Sequence, residues 1–281
     1  MMDDGSFDNV ATGSKSKRLA RATADSRPAR SAPVQLRYML PSIVTTFAIC
    51  AGLTSVKLSI EGHLVSALYL IILAIFLDGL DGKLARFLDA ASPFGAELDT
   101  LADFFNFGIA PGILLYSTFY MNSEFQNFGW LSCLVLAICC ALRLARFNLT
   151  LDDPVVSKKS KEFFTGVPAP ALACLALMPA FLYELGWSGI GNHAYAIAIY
   201  IIAIAGLGIS TLPTFSAKHV SIPRKYVPVF VVCAAVFVVC MVAYPWLSLC
   251  VANTLYLASL PVSYRMSKRP DAAKVISAAS I

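Results

Sequence analysis

Long apolar runs follow one another from residue 38 to residue 263, and they constrain the fold more than any other feature. Several are about 20 residues long, which is what an α-helix needs to cross roughly 30 Å of hydrocarbon. The regular two-residue alternation of a lipid-facing β-barrel is absent. The chain is 58% hydrophobic and only 14% charged, against about 25% charged in a soluble domain. We therefore predict an all-α, polytopic transmembrane helical bundle with six to eight spans. The predicted helices cover residues 38–58, 63–82, 98–120, 128–147, 166–185, 194–213, 226–245 and 247–263.

The two ends of the chain have a different character. Residues 1–36 are polar and rich in Ala, Ser, Arg and Lys, so they cannot bury enough apolar surface to fold and are predicted to be a disordered tail. We assign 37–213 as the catalytic membrane domain, 214–264 as additional transmembrane helices and 265–281 as a second tail.

The basic residues predict an orientation. With eight spans and the N-terminus inside, every one of the 22 Lys and Arg residues except Lys57 falls on the cytoplasmic side, as the positive-inside tendency requires. If the last two predicted spans were a single span, only the Lys and Arg residues of the C-terminal tail would move to the other side of the membrane. The net charge of +5 favours an anionic membrane lipid surface as partner and not nucleic acid, because no basic patch interleaved with aromatic residues is present.

Four aspartates lie where charge facing lipid would be costly, and such residues are candidates for function. Asp78 and Asp81 are three residues apart, and Asp99 and Asp103 are four apart, so each pair shares one face of a helix. A short turn, residues 92–95, joins the two pairs and lets them converge. Four converging carboxylates repel one another, and a pair of divalent cations, Mg²⁺ or Mn²⁺, relieves that repulsion.

Small residues and one arginine surround the aspartates. Gly82 and Ala85 allow a bulky nucleotide to approach the helix closely, and Arg86 can contact a phosphate. Gly95 lies one turn before Asp99 on the same face and is a further candidate for the nucleotide site.

The complete run is Asp78-x2-Asp81-Gly82-x2-Ala85-Arg86-x8-Gly95-x3-Asp99-x3-Asp103. It resembles the signature of the CDP-alcohol phosphatidyltransferase family at every fixed position. The resemblance implies that the four aspartates bind two metal ions and that Asp103 is also the general base. It implies a cytidine nucleotide site at Gly82, Ala85 and Arg86. The first span reads Pro41-Ser42-Ile43-Val44-Thr45, where this family often has Pro-Asn-x-x-Thr. Thr45 is therefore a further candidate for the nucleotide site. Alternatively, its hydroxyl only donates a hydrogen bond back to its own helix.

Further stretches resemble the branch of the family whose acceptor alcohol is L-serine. They are residues 94–108, 141–148 and 164–170. The resemblance implies transfer of a phosphatidyl group from CDP-diacylglycerol to the serine hydroxyl, in a homodimer of the bacterial plasma membrane. Arg143 or Arg146 could bind the serine carboxylate, and Glu97 or Asn148 its ammonium group. Either arginine could instead extend to the membrane interface without binding substrate.

Other functions remain open at this point. Within the family, glycerol 3-phosphate, inositol phosphate or choline could be the acceptor, and a phosphorylated acceptor would need basic residues such as Lys158, Lys159 and Lys161. An ion-coupled transporter would not need Gly82 and Arg86 beside its carboxylates, and many transporters contain internal repeats. An aspartyl membrane protease would use only two of the four aspartates.

Overall fold

A computed structural model describes residues 36–152, 164–210, 213–214 and 227–267. Apart from Leu36, these residues belong to one compact unit, residues 37–281. Within them the architecture is helical, and one antiparallel pairing of two-residue strands joins Phe164 to Thr214 and Thr165 to Pro213. Residues 1–35 and 268–281, which make up most of the two predicted tails, lie outside the described residues, as do Lys158, Lys159 and Lys161.

The elements are nearly all helices. In chain order they are α1 (Leu36–Ile60), α2 (Leu64–Phe87), α3 (Pro93–Phe104), a π-helical turn (Phe105–Ile109), α4 (Ala110–Phe119), α5 (Gln126–Asp152), β1 (Phe164–Thr165), α6 (Ala169–Ala176), α7 (Met178–Glu184), a 3₁₀ turn (Ser188–His193), α8 (Ala194–Ile209), β2 (Pro213–Thr214), α9 (Val227–Ala243) and α10 (Pro245–Ser267).

Five helical stretches in the described part of the chain are long and apolar enough to cross a membrane: Met39–Ile60, Leu64–Phe87, Pro93–Phe119, Gln126–Leu149 and Ser188–Ile209. The all-helical, membrane-spanning class is therefore confirmed, whereas the count of six to eight spans is not. One reason is that the helix predicted over 166–185 is broken into α6 and α7, which have 8 and 7 residues.

The break between α6 and α7 follows from Pro179, which has no backbone N–H to donate. Tyr200 of α8 donates its hydroxyl to the carbonyl oxygen of Leu175 at 2.8 Å. Asn253 of α10 donates to the carbonyl oxygen of Cys174, also at 2.8 Å. Because unpaired backbone groups are costly in lipid, these side chains allow a broken helix within the bundle.

The connection between α2 and α3 is tighter than the sequence predicts. Asp89 adopts a positive φ of 50°, and the N–H of Ala90 donates to Ala85 O at 2.9 Å, so α2 ends in a Schellman turn. Ser92 then caps α3 by accepting from the N–H of Gly95 at 3.0 Å, with Pro93 in the first turn. The predicted start of this helix at residue 98 is wrong, because Ser-Pro begins a helix here and is not part of a longer turn.

A π-helical turn interrupts the third membrane helix just after Asp103. The N–H of Ala110 donates to the carbonyl oxygen of Phe105, and Pro111 follows without a donor of its own. The turn brings Gly108 so close to α5 that a Cβ there would lie 3.1 Å from the Cβ of Cys140. The membrane helix that carries Asp99 and Asp103 is thereby packed tightly against α5.

The core lies between α5 and α8, which make the most extensive contact between two elements, with α4, α6 and α7 around them. Leu114, Leu136, Leu172 and Ile201 are fully buried there. This packed half of the bundle supports α2 and α3, on which the aspartates lie.

Candidate active site

Three of the four aspartates meet between α2 and α3. One carboxylate oxygen from each of Asp78, Asp99 and Asp103 lies within 4.8 Å of the other two, and all three side chains are half-buried. Asp99 and Asp103 reach this point together because they are one turn apart on α3. The spacing argument thus predicts this convergence, and the Schellman turn and the Ser92 cap bring the two helices together.

Asp81 occupies a neighbouring position. It is only 3% exposed, and its Oδ2 lies 2.6 Å from the hydroxyl of Thr45 on α1. Its negative charge interacts with that of Asp99, so it remains part of the same acidic group. Asp81 lies one turn from Asp78 and toward α1, which explains why it does not join the cluster of three.

The Thr45 hydroxyl has two acceptors. Besides Asp81, it lies 3.0 Å from the carbonyl oxygen of Pro41 in its own helix. The bond back to its own helix is therefore present, the shorter contact is the one to Asp81, and nucleotide binding by Thr45 stays a prediction. Thr45 connects α1 to the acidic site.

A cleft of about 190 Å³ opens beside Asp81 and Asp99. Its walls are formed by α1, α2, α3 and the turn between the last two. The lining residues are Pro41, Ser42, Thr45, Asp81, Gly82, Ala85, Ala90, Ala91, Ser92, Gly95, Ala96 and Asp99. Gly82, Ala85, Gly95 and Thr45, all predicted from the sequence to bind nucleotide, are therefore found together.

Glycine has a steric role on both sides of this cleft. A Cβ added to Gly82 would meet nothing within 4 Å, so any side chain there would occupy free space. A Cβ on Gly95 would lie 3.0 Å from the hydroxyl of Ser92, which caps the helix. Sequence reasoning assigned no role to Ser92 or Ala96. Ser92 has a detectable signal, since a serine followed by proline is typical of a helix start.

Arg86 is not among the residues that line the cleft. It is exposed on the last turn of α2, and its Nε donates to the carbonyl oxygen of Gly82 at 2.9 Å. This bond links Arg86 to the backbone of Gly82, which lines the cleft.

The two arginines of α5 have different surroundings. Arg143 is half-buried, donates from Nε to the carbonyl oxygen of Val167, and interacts electrostatically with Asp103. Arg146 donates from Nη1 to Ile209 O at 2.9 Å and from Nη2 to Ser210 O at 3.4 Å. The charge of Arg143 therefore acts on the acidic cluster, whereas Arg146 binds the C-terminal end of α8.

The two predicted partners for an ammonium group have different surroundings. Asn148 donates to the hydroxyl of Thr100 on α3 at 3.1 Å, which ties α5 to the helix that carries Asp99 and Asp103. Glu97 is exposed on α3 and makes no ion pair with the described residues.

The chemistry of the donors fits a hard divalent cation. All the converging ligands are carboxylate oxygens, as Mg²⁺ and Mn²⁺ prefer. The Oδ1 atom of Asp103 is buried and has no hydrogen-bond partner among the described residues. Closely spaced carboxylates repel unless a proton or a cation lies between them. The group Asp78, Asp99 and Asp103, with Asp81 beside it, can therefore hold such an ion.

Comparison with known proteins agrees with this geometry. The sequence profile of the CDP-alcohol phosphatidyltransferase family matches residues 38–209, and a second profile, CDP-alcohol phosphatidyltransferase 2, matches residues 225–261. The chain is 39% identical over 239 residues to the CDP-diacylglycerol–serine O-phosphatidyltransferase of Mycobacterium leprae (strain TN), covering 84% of this chain and 77% of the relative. It is 31% identical over 209 residues to the enzyme of that name from Helicobacter pylori (strain ATCC 700392 / 26695), covering 73% of this chain and 84% of the relative. The match over residues 38–209 includes every aspartate of the site and the whole cleft, and we conclude that the chain belongs to the CDP-alcohol phosphatidyltransferase family.

Proposed function

We propose that this protein transfers the phosphatidyl group of CDP-diacylglycerol to the hydroxyl of L-serine, giving phosphatidylserine and CMP. The observation that carries the proposal is the cluster of Asp78, Asp99 and Asp103 beside a cleft lined by small residues. Relatives over most of the chain have the serine-transferring name. The protein is thus an enzyme of phospholipid biosynthesis.

The nucleotide of the donor occupies the cleft beside Asp81. Gly82, Ala85 and Gly95 leave room for the cytidine, and Thr45 holds the Asp81 carboxylate in place. Arg86, at the mouth of the cleft, contacts a phosphate through its guanidinium group.

Asp78, Asp81, Asp99 and Asp103 hold two divalent ions, Mg²⁺ or Mn²⁺. When bound, these ions offset the negative charges of the carboxylates and of the pyrophosphate. Asp103 accepts the proton of the serine hydroxyl through its carboxylate. The serine oxygen forms a bond to the phosphorus that bears the lipid, and the bond from that phosphorus to the CMP oxygen breaks with its electron pair.

Arg143 binds the carboxylate of serine. Its electrostatic interaction with Asp103 supports this role, because the acceptor hydroxyl must reach that residue. A guanidinium group suits a carboxylate, since two parallel hydrogen bonds can form. Glu97 and Asn148 remain the proposed partners of the serine ammonium group.

The finer topology belongs to the same proposal. The broken pair α6–α7 and helices α9 and α10 add to the five apolar helices, giving six to eight spans in a multi-pass protein of the bacterial plasma membrane. Residues 37–213 form the catalytic domain and 214–264 the additional helices. The distribution of Lys and Arg supports a cytoplasmic active site and cytoplasmic tails. The protein is a homodimer.

An acceptor assay tests the proposal. The purified protein in lipid vesicles receives CDP-diacylglycerol and one radiolabelled alcohol at a time: L-serine, glycerol 3-phosphate, inositol phosphate or choline. We expect label in lipid only with serine. Turnover with glycerol 3-phosphate and none with serine would refute the choice of acceptor while leaving the family chemistry intact.

A further inference from the structure

We propose that Arg146 is a positioning residue, which acts on the acceptor site through the segment Gly166–Val167 and Arg143 and does not itself bind serine. The inference rests on the proposed transfer to serine. It divides the roles of two arginines that share one face of α5 and that the sequence alone cannot tell apart.

The guanidinium group of Arg146 is bound to the end of another helix. It donates to the carbonyl oxygen of Ile209, the last residue of α8, at 2.9 Å and to that of Ser210 at 3.4 Å. The last carbonyl groups of a helix have no partner within it, and a cation is favourable at this end. Arg146 therefore caps α8.

Gly166 packs against the same helix end. Its φ is +89°, and a Cβ there would lie 2.9 Å from Ser210 O and 3.2 Å from Nη2 of Arg146. Pairing of β1 with β2 ties the residues just before Gly166 to those just after α8. The position of Gly166 thus depends on the end of α8 that Arg146 caps.

Val167, the residue after Gly166, connects this segment to Arg143. Its side chain is fully buried, and its carbonyl oxygen accepts a hydrogen bond from Nε of Arg143. Arg143 in turn interacts with the charge of Asp103. A set of contacts therefore leads from the cap of α8 to Arg143, whose charge acts on Asp103 of the catalytic cluster.

These contacts predict a selective kinetic effect. If the α8 end and Gly166 shift, the Nε bond of Arg143 weakens and the guanidinium group loses its orientation toward the acceptor. The nucleotide cleft is built from α1, α2, α3 and the turn after α2, and none of the residues that line it takes part in these contacts. Binding of serine should suffer and binding of CDP-diacylglycerol should not.

The test compares variants of the full-length protein in lipid vesicles, measuring kcat and the KM of each substrate. Arg146→Ala should raise the serine KM about tenfold, as expected for a lost hydrogen bond to a charged group, and leave the KM of CDP-diacylglycerol within about twofold. In an Arg143→Ala background the same change should alter the serine KM by no more than about twofold. Independent, multiplicative effects in the double variant would overturn the proposal.

Glycine variants test the same contacts without touching an arginine. Gly166→Ala should raise the serine KM as Arg146→Ala does. Gly186→Ala is the matched control, because Gly186 has a φ of +95° but nothing within 4 Å of an added Cβ. A normal serine KM in Gly166→Ala, together with a raised one in Arg146→Ala, would instead indicate that Arg146 binds serine directly.

Two further outcomes are decisive. If Arg146→Ala does not yield monodisperse protein, Arg146→Lys is measured in its place. We expect an intermediate serine KM for Arg146→Lys, because an ammonium group can keep one of the two carbonyl contacts. An unchanged serine KM in Arg146→Lys and in Gly166→Ala would refute the positioning role. If the unmodified protein does not use serine at all, the proposed function fails before any variant is compared.

Discussion

The hydroxyl of Thr45 lies 2.6 Å from a carboxylate oxygen of Asp81, and this contact joins α1 to α2 at the edge of the cleft. Asp81 is almost fully buried, so it needs a donor at this position. Loss of that donor leaves a buried carboxylate oxygen unsatisfied beside the acidic cluster.

Thr45→Val should therefore lower kcat/KM for CDP-diacylglycerol by about tenfold, the value of a hydrogen bond to a charged group. Thr45→Ser should restore most of the activity, since it keeps the hydroxyl. Thr46→Val is the control, because Thr46 is exposed and donates only to Ser42 O in its own helix. Equal kinetics for the valine variants at 45 and 46 would contradict the role of the contact.

Replacement of Asp103 tests the proposed base. Asp103→Asn should lower kcat by about 10² to 10⁴, the usual contribution of a general base. Asp89→Asn provides the comparison, because Asp89 is an exposed carboxylate and asparagine accepts its positive φ of 50°. If Asp103→Asn keeps more than about a tenth of the wild-type kcat, Asp103 is not the base.

Filling the cleft should block the donor. Gly82→Leu places a side chain in open space within the cleft, so the protein should fold while kcat/KM for CDP-diacylglycerol falls by about 10², as for other substrate misplacements. Gly79→Leu is the matched control on the same helix, since its added Cβ also meets nothing but does not line the cleft. Full activity in the Gly82 variant would place the nucleotide elsewhere.

The broken helix predicts an effect on stability. Tyr200→Phe removes the donor to Leu175 O and should lower the free energy of unfolding by about 1 kcal/mol, or the Tm by about 2–4 °C. The control is Tyr195→Phe, whose exposed ring keeps its stacking on Phe128. A thermal melt of each purified variant in detergent makes the comparison. Identical melting temperatures would mean that Leu175 O needs no such donor.

Much of the fold follows from the apolar pattern. Helix type depends on runs of about 20 apolar residues, and the observed helices begin and end within about five residues of the predicted ones. The exceptions that change a connection are the start of α3 and the break between α6 and α7. Those two exceptions share a cause. Ser92-Pro93 and Pro179 each admit a turn or a helix start, and the choice depends on contacts made by other parts of the chain.

The site can be predicted from the sequence to a similar extent as the fold. Spacing along a helix places Asp99 beside Asp103, because that relationship is local. It cannot say that Asp78, and not Asp81, completes the cluster, since this depends on how α1 and α2 pack. The different surroundings of Arg143 and Arg146 are likewise set by Val167 and Ile209, which lie far along the sequence.

The most direct test of the central claim is metal-dependent transfer to serine by the purified protein. Metal is removed with EDTA, Mg²⁺ or Mn²⁺ is added back, and CMP and labelled phosphatidylserine are quantified in the same reaction. The account predicts no product after EDTA, and equal amounts of CMP and phosphatidylserine once the metal returns. Phosphatidylserine formation that continues in EDTA, or CMP release without phosphatidylserine, would contradict it.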